Sequence, residues 1–229
     1  MKSARPLLFL IAVVALAGFK ADDTFSLHQT FKKDNIETYQ TAYEASSDDG
    51  EMSFTMKNRY KVLSVDDDGG YEMEETLLEG MYKFDGQEQA MEKKDPEVRK
   101  YDKDGNEVKK AGEEDEEEVD PIEEIIDDML CYEPDHAVKI GESWDCETDY
   151  GTMHLTLVGQ EKLGEVECLK ITSKVTLSKG DASGEGTGTF YLRTSDFSAE
   201  KLEAKFENLK AKEETLKKLE ISMTRIAND

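Results

Sequence analysis

The sequence lacks the residues and spacings on which most recognisable chemistry rests. Among 229 residues there are three cysteines, three histidines and one tryptophan. Neither a C-x-x-C pair nor a Cys/His cluster occurs, so zinc and redox frameworks have little support. His28, His136 and His154 stand in no nucleophile motif, and Ser143 lacks the G-x-S-x-G elbow of hydrolases. With 53 acidic residues in the chain, paired carboxylates are too common to mark a glycosidase. The chain therefore reads as a non-enzyme with no cofactor and no metal site. Positive charge is scarce too: 29 Lys and Arg leave a formal charge of −24. Such a surface repels nucleic acid, anionic membranes and acidic polymers, and attracts cations and basic proteins.

An apolar run long enough to span a bilayer is also missing. Leu7 to Ala17 is uninterrupted but holds only 11 residues, against the ~20 that a spanning helix needs. Lys2 and Arg5 precede it, and Ala15, Leu16 and Ala17 form a small-x-small cleavage pattern. These are the parts of a secretory signal peptide over residues 1–17, with cleavage as late as 21 as the alternative. No cysteine follows to take a lipid anchor, so the mature chain is expected to be secreted or periplasmic, without stable membrane insertion. Removing 17 of 229 residues takes away two positive charges, leaving −26 over 212 residues. That length suits one β-rich domain, here residues 22–226, and nine Tyr and nine Phe can build its core despite 37% hydrophobic content. Cys131, Cys146 and Cys168 allow one internal bridge at most. Cys131 with Cys146 is the closest pairing in sequence, and three buried thiols are the alternative.

Period-2 alternation dominates what is present. Phe25, Leu27 and Gln29, then Tyr39, Thr41 and Tyr43, then Met52, Phe54 and Met56 alternate with polar neighbours, which predicts half-buried strands. Tyr60 and Val62 lead to the turn Asp66 to Gly70; Tyr71 and Met73 restart the pattern, and Met81, Tyr82 and Phe84 carry it to Asp85 and Gly86. Residues 85–118 change character and read as an exposed acidic insertion, nearly all acid from Glu113 to Glu118. Within it, Asp102, Asp104, Gly105 and Asn106 fit either a β-turn or a calcium loop, although an EF-hand needs its glycine at position six. Asp120 and Pro121 then resemble a helix start, and Ile122, Ile125, Ile126, Met129 and Leu130 form an apolar stripe, which predicts an amphipathic helix over 120–131 packed on the sheet.

β structure resumes with Trp144, read as a core anchor, and with Met153, Leu155 and Leu157. Val166 to Leu177 reads as the return strand after a hairpin loop at Lys162 to Glu165. Four glycines over residues 180–188 suit a bend, a bulge or a flexible turn. Strands are expected at 199–208 and 216–226, with a terminal helix as the rival reading of the Leu spacing.

Val138, Lys139, Ile140, Gly141, Glu142, Ser143 and Trp144 resemble a V-K-x-G-E-S-W phrase of uncharacterised secreted bacterial proteins. Leu155 to Gly159, Cys168 to Ile171, and Gly186 to Tyr191 follow in the order that group shows, so the resemblance covers roughly residues 130–207. What it implies is a curved antiparallel sheet partly wrapped around a helix, similar to the half-barrel of periplasmic lipoprotein carriers. The expected fold is therefore mainly β: a curved antiparallel half-barrel-like meander with one amphipathic helix. The expected function is an exported binding or interaction protein holding an apolar ligand or partner segment on the concave face. Lining candidates are Tyr39, Tyr43, Phe54, Met56, Met73, Ile125, Met129, Leu155 and Leu157, residues that would equally make an ordinary core. The alternative is an acidic cell-envelope protein binding cations or a basic protein partner through residues 113–128.

Overall fold

A computed structural model describes residues 23–103, 105, 107–108, 133–180, 182–211 and 214–227. Thirteen strands account for most of them, and no helix occurs among the described residues. The strands are β1 (Thr24–Phe25), β2 (Ile36–Ser46), β3 (Glu51–Val65), β4 (Tyr71–Phe84), β5 (Gln87–Ala90), β6 (Glu97–Tyr101), β7 (Val138–Lys139), β8 (Ser143–Glu147), β9 (Gly151–Leu163), β10 (Val166–Leu177), β11 (Ala182–Arg193), β12 (Ala199–Ala211) and β13 (Glu214–Ile226). Eleven form one antiparallel sheet in the order β5-β4-β3-β2-β13-β12-β11-β10-β9-β8, with β6 beside β5 on the free edge of β4. The sheet is open, since β8 and the β5/β6 pair remain at opposite edges. The chain's last strand inserts between β12 and β2, so the two halves of the sequence are joined by hydrogen bonds to β13.

Turn chemistry sets the registers. Asp85 and Gly86 both have positive φ (45° and 81°), the geometry of a two-residue hairpin whose twist matches its strands. The turn at Asp66 to Gly70 closes on Asp66 N donating to Gly70 O at 2.7 Å. At the other end of the sheet, Glu142 holds the phrase before Trp144: its carboxylate accepts from Lys139 N at 2.9 Å, while Gly141 N donates to Leu157 O at 2.7 Å. Gly141, at φ +88°, takes a conformation that side-chain-bearing residues rarely adopt.

Directly paired residues on neighbouring strands share a face, so the registers define rows that cross the whole sheet. One row runs Trp144, Leu155, Ser173, Gly188, Ala204, Ile221, Tyr43, Phe54, Tyr82. The next runs Leu157, Ile171, Phe190, Leu202, Met223, Thr41, Met56, Gly80. Burial falls along both. From β8 to β12 these side chains are buried and join Phe25, Leu27 and Val138 in one cluster, whereas across β2, β3 and β4 they are half-buried.

Several expectations change. The glycine-rich stretch 180–188 is largely strand: only Gly184 marks a bulge, and β11 continues through Gly186 and Gly188. A Cβ at Gly186 would lie 2.5 Å from two ring carbons of Phe206, and one at Gly188 would lie 2.5 Å from Ser173 Oγ. These glycines make room for their cross-strand partners. The start of the insertion at 85–118 is not simply a loop, because Gln87–Ala90 and Glu97–Tyr101 pair with β4. The first expected strand shrinks to Thr24–Phe25, paired with β7, though Phe25 and Leu27 are buried as the alternation required. Strands, not a helix, occupy both 199–211 and 214–226. The signal segment, the helix expected at 120–131 with Ile125 and Met129, and the acidic run 113–118 lie outside the described residues.

Candidate functional site

The register brings all seven described lining candidates onto one face of the sheet. Tyr39, Tyr43, Phe54, Met56, Met73, Leu155 and Leu157 all project to the side that carries the core. They then divide by burial. Leu155 and Leu157 are wholly inaccessible and belong to the packed half. Tyr43, Phe54, Met56 and Met73 remain half-buried over β2 to β4.

These latter residues form part of a larger apolar shelf. Met52 and Phe84 pair in the row beyond Phe54, and the Phe54 and Tyr82 rings sit with centroids 4.7 Å apart. Met223 from β13 continues the Met56 row. Gly80 opposes Met56, and the Met91 side chain fills the space a Cβ there would take, with Sδ 2.8 Å from that position. Tyr82 and Phe84 alternate with each other but are out of step with Met73, and the irregularity opposite Lys57 and Asn58 brings them to its face. Met91 was not legible in the sequence, since its place depends on a glycine opposite a strand edge.

The shelf ends in a polar cluster on the same face. Glu37 and Tyr39 are buried: Tyr39 Oη donates to Glu37 Oε2 at 2.8 Å, Asn35 Nδ2 donates to Oε1 at 3.1 Å, and Arg225 Nη1 lies 3.3 Å from Oε1. Beside it, Asn58 Nδ2 and Tyr60 Oη both donate to Glu75 Oε1, at 2.9 and 3.1 Å. Burial, with the nearby Glu75 carboxylate second, pushes the Tyr60 phenol well above its ordinary range. The Tyr39 and Tyr60 rings meet edge-on at 5.9 Å. Asn58 Oδ1 is buried and has no hydrogen-bond partner among the described residues. Its amide orientation is fixed by Glu75, because turning it over would set oxygen against carboxylate. Tyr39 thus serves a polar network rather than an apolar lining.

The remaining chemistry-bearing groups are dispersed. Each histidine meets carboxylates at the surface: His28 with Glu133 at 2.6 Å, His136 with Asp135 and Glu142 at 2.5 and 3.2 Å, and His154 with Asp145 at 2.6 Å. Hydrogen bonding to Asp135 and Glu142 raises the His136 pKa. No His or Ser pairing of triad type and no group of three or more metal-ligating side chains occurs among the described residues. Cys146 is disulfide-bonded and Cys168 is free and buried; Cys131 lies outside the described residues. Burial, then the Glu200 carboxylate, pushes the Cys168 thiol up to about 11. Gly105 N donates to Asp102 O at 3.1 Å, the bond of a β-turn at the D-x-D-G-N segment. Two open clefts, of about 720 Å³ at the β2–β3 and β4–β5 hairpin ends and about 670 Å³ on the opposite face over His154 and Thr172, are lined mostly by polar side chains.

No family model and no curated protein matches the sequence. Among solved structures, the chain is similar to a domain described as an outer membrane lipoprotein-sorting protein domain from Vibrio parahaemolyticus, at 6% identity over 84% of this chain and 83% of that one. The TM-score is 0.24, too low for that likeness to bear on function.

Proposed function

We propose that this is an exported, non-enzymatic binding protein that holds an apolar ligand or a partner segment on the β2–β4 shelf. The observation that carries the reading is the fall in burial along single rows of one face. Leu155, Ala204 and Ile221 are covered, while Tyr43, Phe54 and Tyr82 of the same row are only half covered. Apolar side chains left half in water retain part of their hydrophobic free energy, about 25 cal/mol for each Å² a partner would remove. A contiguous patch of this kind on a soluble protein marks an interaction surface. Export rests on the signal-like first 17 residues, and a non-enzymatic role rests on the dispersed histidines and carboxylates described above.

The test is a fluorescence titration with the neutral dye Nile red. The wild-type chain should bind it, and Phe54→Asp, which places a charge at the centre of the shelf, should abolish binding while leaving the far-ultraviolet circular dichroism unchanged. Met81→Asp, on the opposite face of β4, should bind as wild type does. Absence of dye binding by the wild type, or binding unaffected by Phe54→Asp, refutes the proposal.

A further inference from the structure

The charges on the two faces of β2, β3 and β4 are not distributed alike. All four basic residues of these strands, Lys57, Arg59, Lys61 and Lys83, stand on the face opposite the shelf, paired in register with Glu79, Thr76, Glu74 and Ser53. The shelf face carries two carboxylates from these strands, Glu37 and Glu75. The cations that reach this end come from neighbouring strands and are already committed: Arg225 to Glu37 at 3.3 Å, and Arg99 to Glu97 through two hydrogen bonds of 3.0 Å. Glu75 is held by the neutral donors Asn58 and Tyr60, with no ion pair among the described residues. Glu97 faces the same side through its pairing with Glu75, and Arg99 acts on both carboxylates, so the polar end of the shelf carries three carboxylates, Glu37, Glu75 and Glu97, against the two guanidiniums of Arg225 and Arg99, an excess of one negative charge. That excess of negative charge calls for a cation. The chain's formal charge of −24 adds a long-range field of the same sign.

Dimensions and composition then select among cations. From Met52 to Tyr60 the face of β3 extends about 27 Å at ~3.4 Å per residue, and the four strands β13 to β4 span about 14 Å between their outer axes at ~4.8 Å each. An α-helix of about 18 residues is 27 Å long and 10–12 Å across with its side chains. Methionine supplies Met52, Met56, Met91 and Met223 on this shelf, and its unbranched, polarizable side chain suits surfaces that adapt to a peptide's apolar face. We infer that the occupant of the shelf is a cationic amphipathic helix, its apolar stripe on Phe54, Met56 and Tyr82 and a basic residue near Glu75. This inference rests on the binding reading of the shelf and names its partner class.

Fluorescence anisotropy with two labelled 18-residue helical peptides, one of Leu and Lys and one of Leu and Glu, tests it on the full mature chain, alongside Nile red. The expected result is that the Leu/Lys peptide binds at least about tenfold more tightly than the Leu/Glu peptide, a difference of about 1.4 kcal/mol. Phe54→Asp should weaken the Leu/Lys peptide about tenfold or more and Glu75→Gln about threefold or more, whereas Met81→Asp should leave its affinity unchanged. If Nile red binds in a Phe54-dependent way but the peptides bind equally or not at all, the peptide inference falls and the apolar-ligand reading stands. If neither dye nor peptide binds, both fall. Leu/Lys binding that survives Phe54→Asp and vanishes in high salt would place the contact on the general acidic surface, and would overturn the shelf as its site.

Discussion

Gly186→Ala tests the fold at a close approach between β11 and β12. The added methyl would stand 2.5 Å from Phe206 Cδ1 and Cε1 and 3.0 Å from Lys205 O, and Phe206 is fully buried. The ring cannot yield freely, because packed interiors hold few voids. Overpacking of this kind costs about 1–3 kcal/mol. Loss of glycine's freedom in the unfolded chain returns about 0.4–1 kcal/mol, leaving a net destabilisation of about 1–2 kcal/mol. At about 2–4 °C per kcal/mol for a domain of this size, the Tm should fall by about 2–8 °C. Thermal unfolding followed by circular dichroism reads this directly. The double variant Gly186→Ala with Phe206→Leu should be no less stable than Phe206→Leu alone, because the smaller side chain removes the clash. A neutral Gly186→Ala, or strictly additive effects in the pair, would refute the account of the glycine-rich strand.

Three other outcomes follow from the same structure. Glu37→Ala leaves Arg225, whose side chain is only 15% exposed, without its carboxylate, and should cost about 3 kcal/mol in urea unfolding; a loss below 0.5 kcal/mol would contradict the buried network. Tyr71, stacked between Phe31 and Tyr101 at centroid distances of 4.0 and 5.0 Å, has its phenol pushed up to about 12, chiefly by burial. Because the folded value lies above the unfolded 10.0, its contribution is complete below pH 10 and lost as pH rises toward 12; stability should therefore decline over that window, and absorbance at 295 nm should show late tyrosine ionisation. Cys168 should resist a thiol reagent at pH 8 until the chain unfolds, whereas non-reducing peptide maps should place Cys146 in a disulfide; rapid labelling of Cys168 in the native chain would contradict its burial.

The strand pattern was readable because alternation is a local property. Tyr39 with Tyr43, and Phe54 with Met56, each declare a common face within their strand by sequence parity, and the turns at Asp66 to Gly70 and Asp85 and Gly86 carry their own conformational signal. The choice of strand over helix for 199–208 and 216–226 rested on Leu219, Ile221 and Met223, and the registers bear it out, with the strands reaching Ala211 and starting at Glu214. Less legible was anything set by a cross-strand partner. Gly186 and Gly188 look like flexibility until Phe206 and Ser173 stand opposite them. Gln87–Ala90 and Glu97–Tyr101 look like loop because edge strands tolerate exposed polar residues on both faces. The division of the lining candidates into a covered half and an open half depends on the tenfold succession of strands, with β13 closing the gap between β12 and β2, and no local pattern encodes that order. The polar end was missed for the same reason: Glu37, Asn58, Tyr60, Glu75 and Arg225 come from four strands and meet only through register.

Methyl-labelled methionine offers the most direct measurement of where a ligand sits. Met52, Met56 and Met223 lie on the shelf, Met153 lies in the closed core and Met81 lies on the opposite face. In a ¹H–¹³C NMR titration with the Leu/Lys peptide or with Nile red, the three shelf resonances should move together and saturate with one affinity, while those of Met153 and Met81 stay in place. Movement of Met81 without the shelf methyls, or no movement at any methionine at saturating ligand, would contradict the binding face.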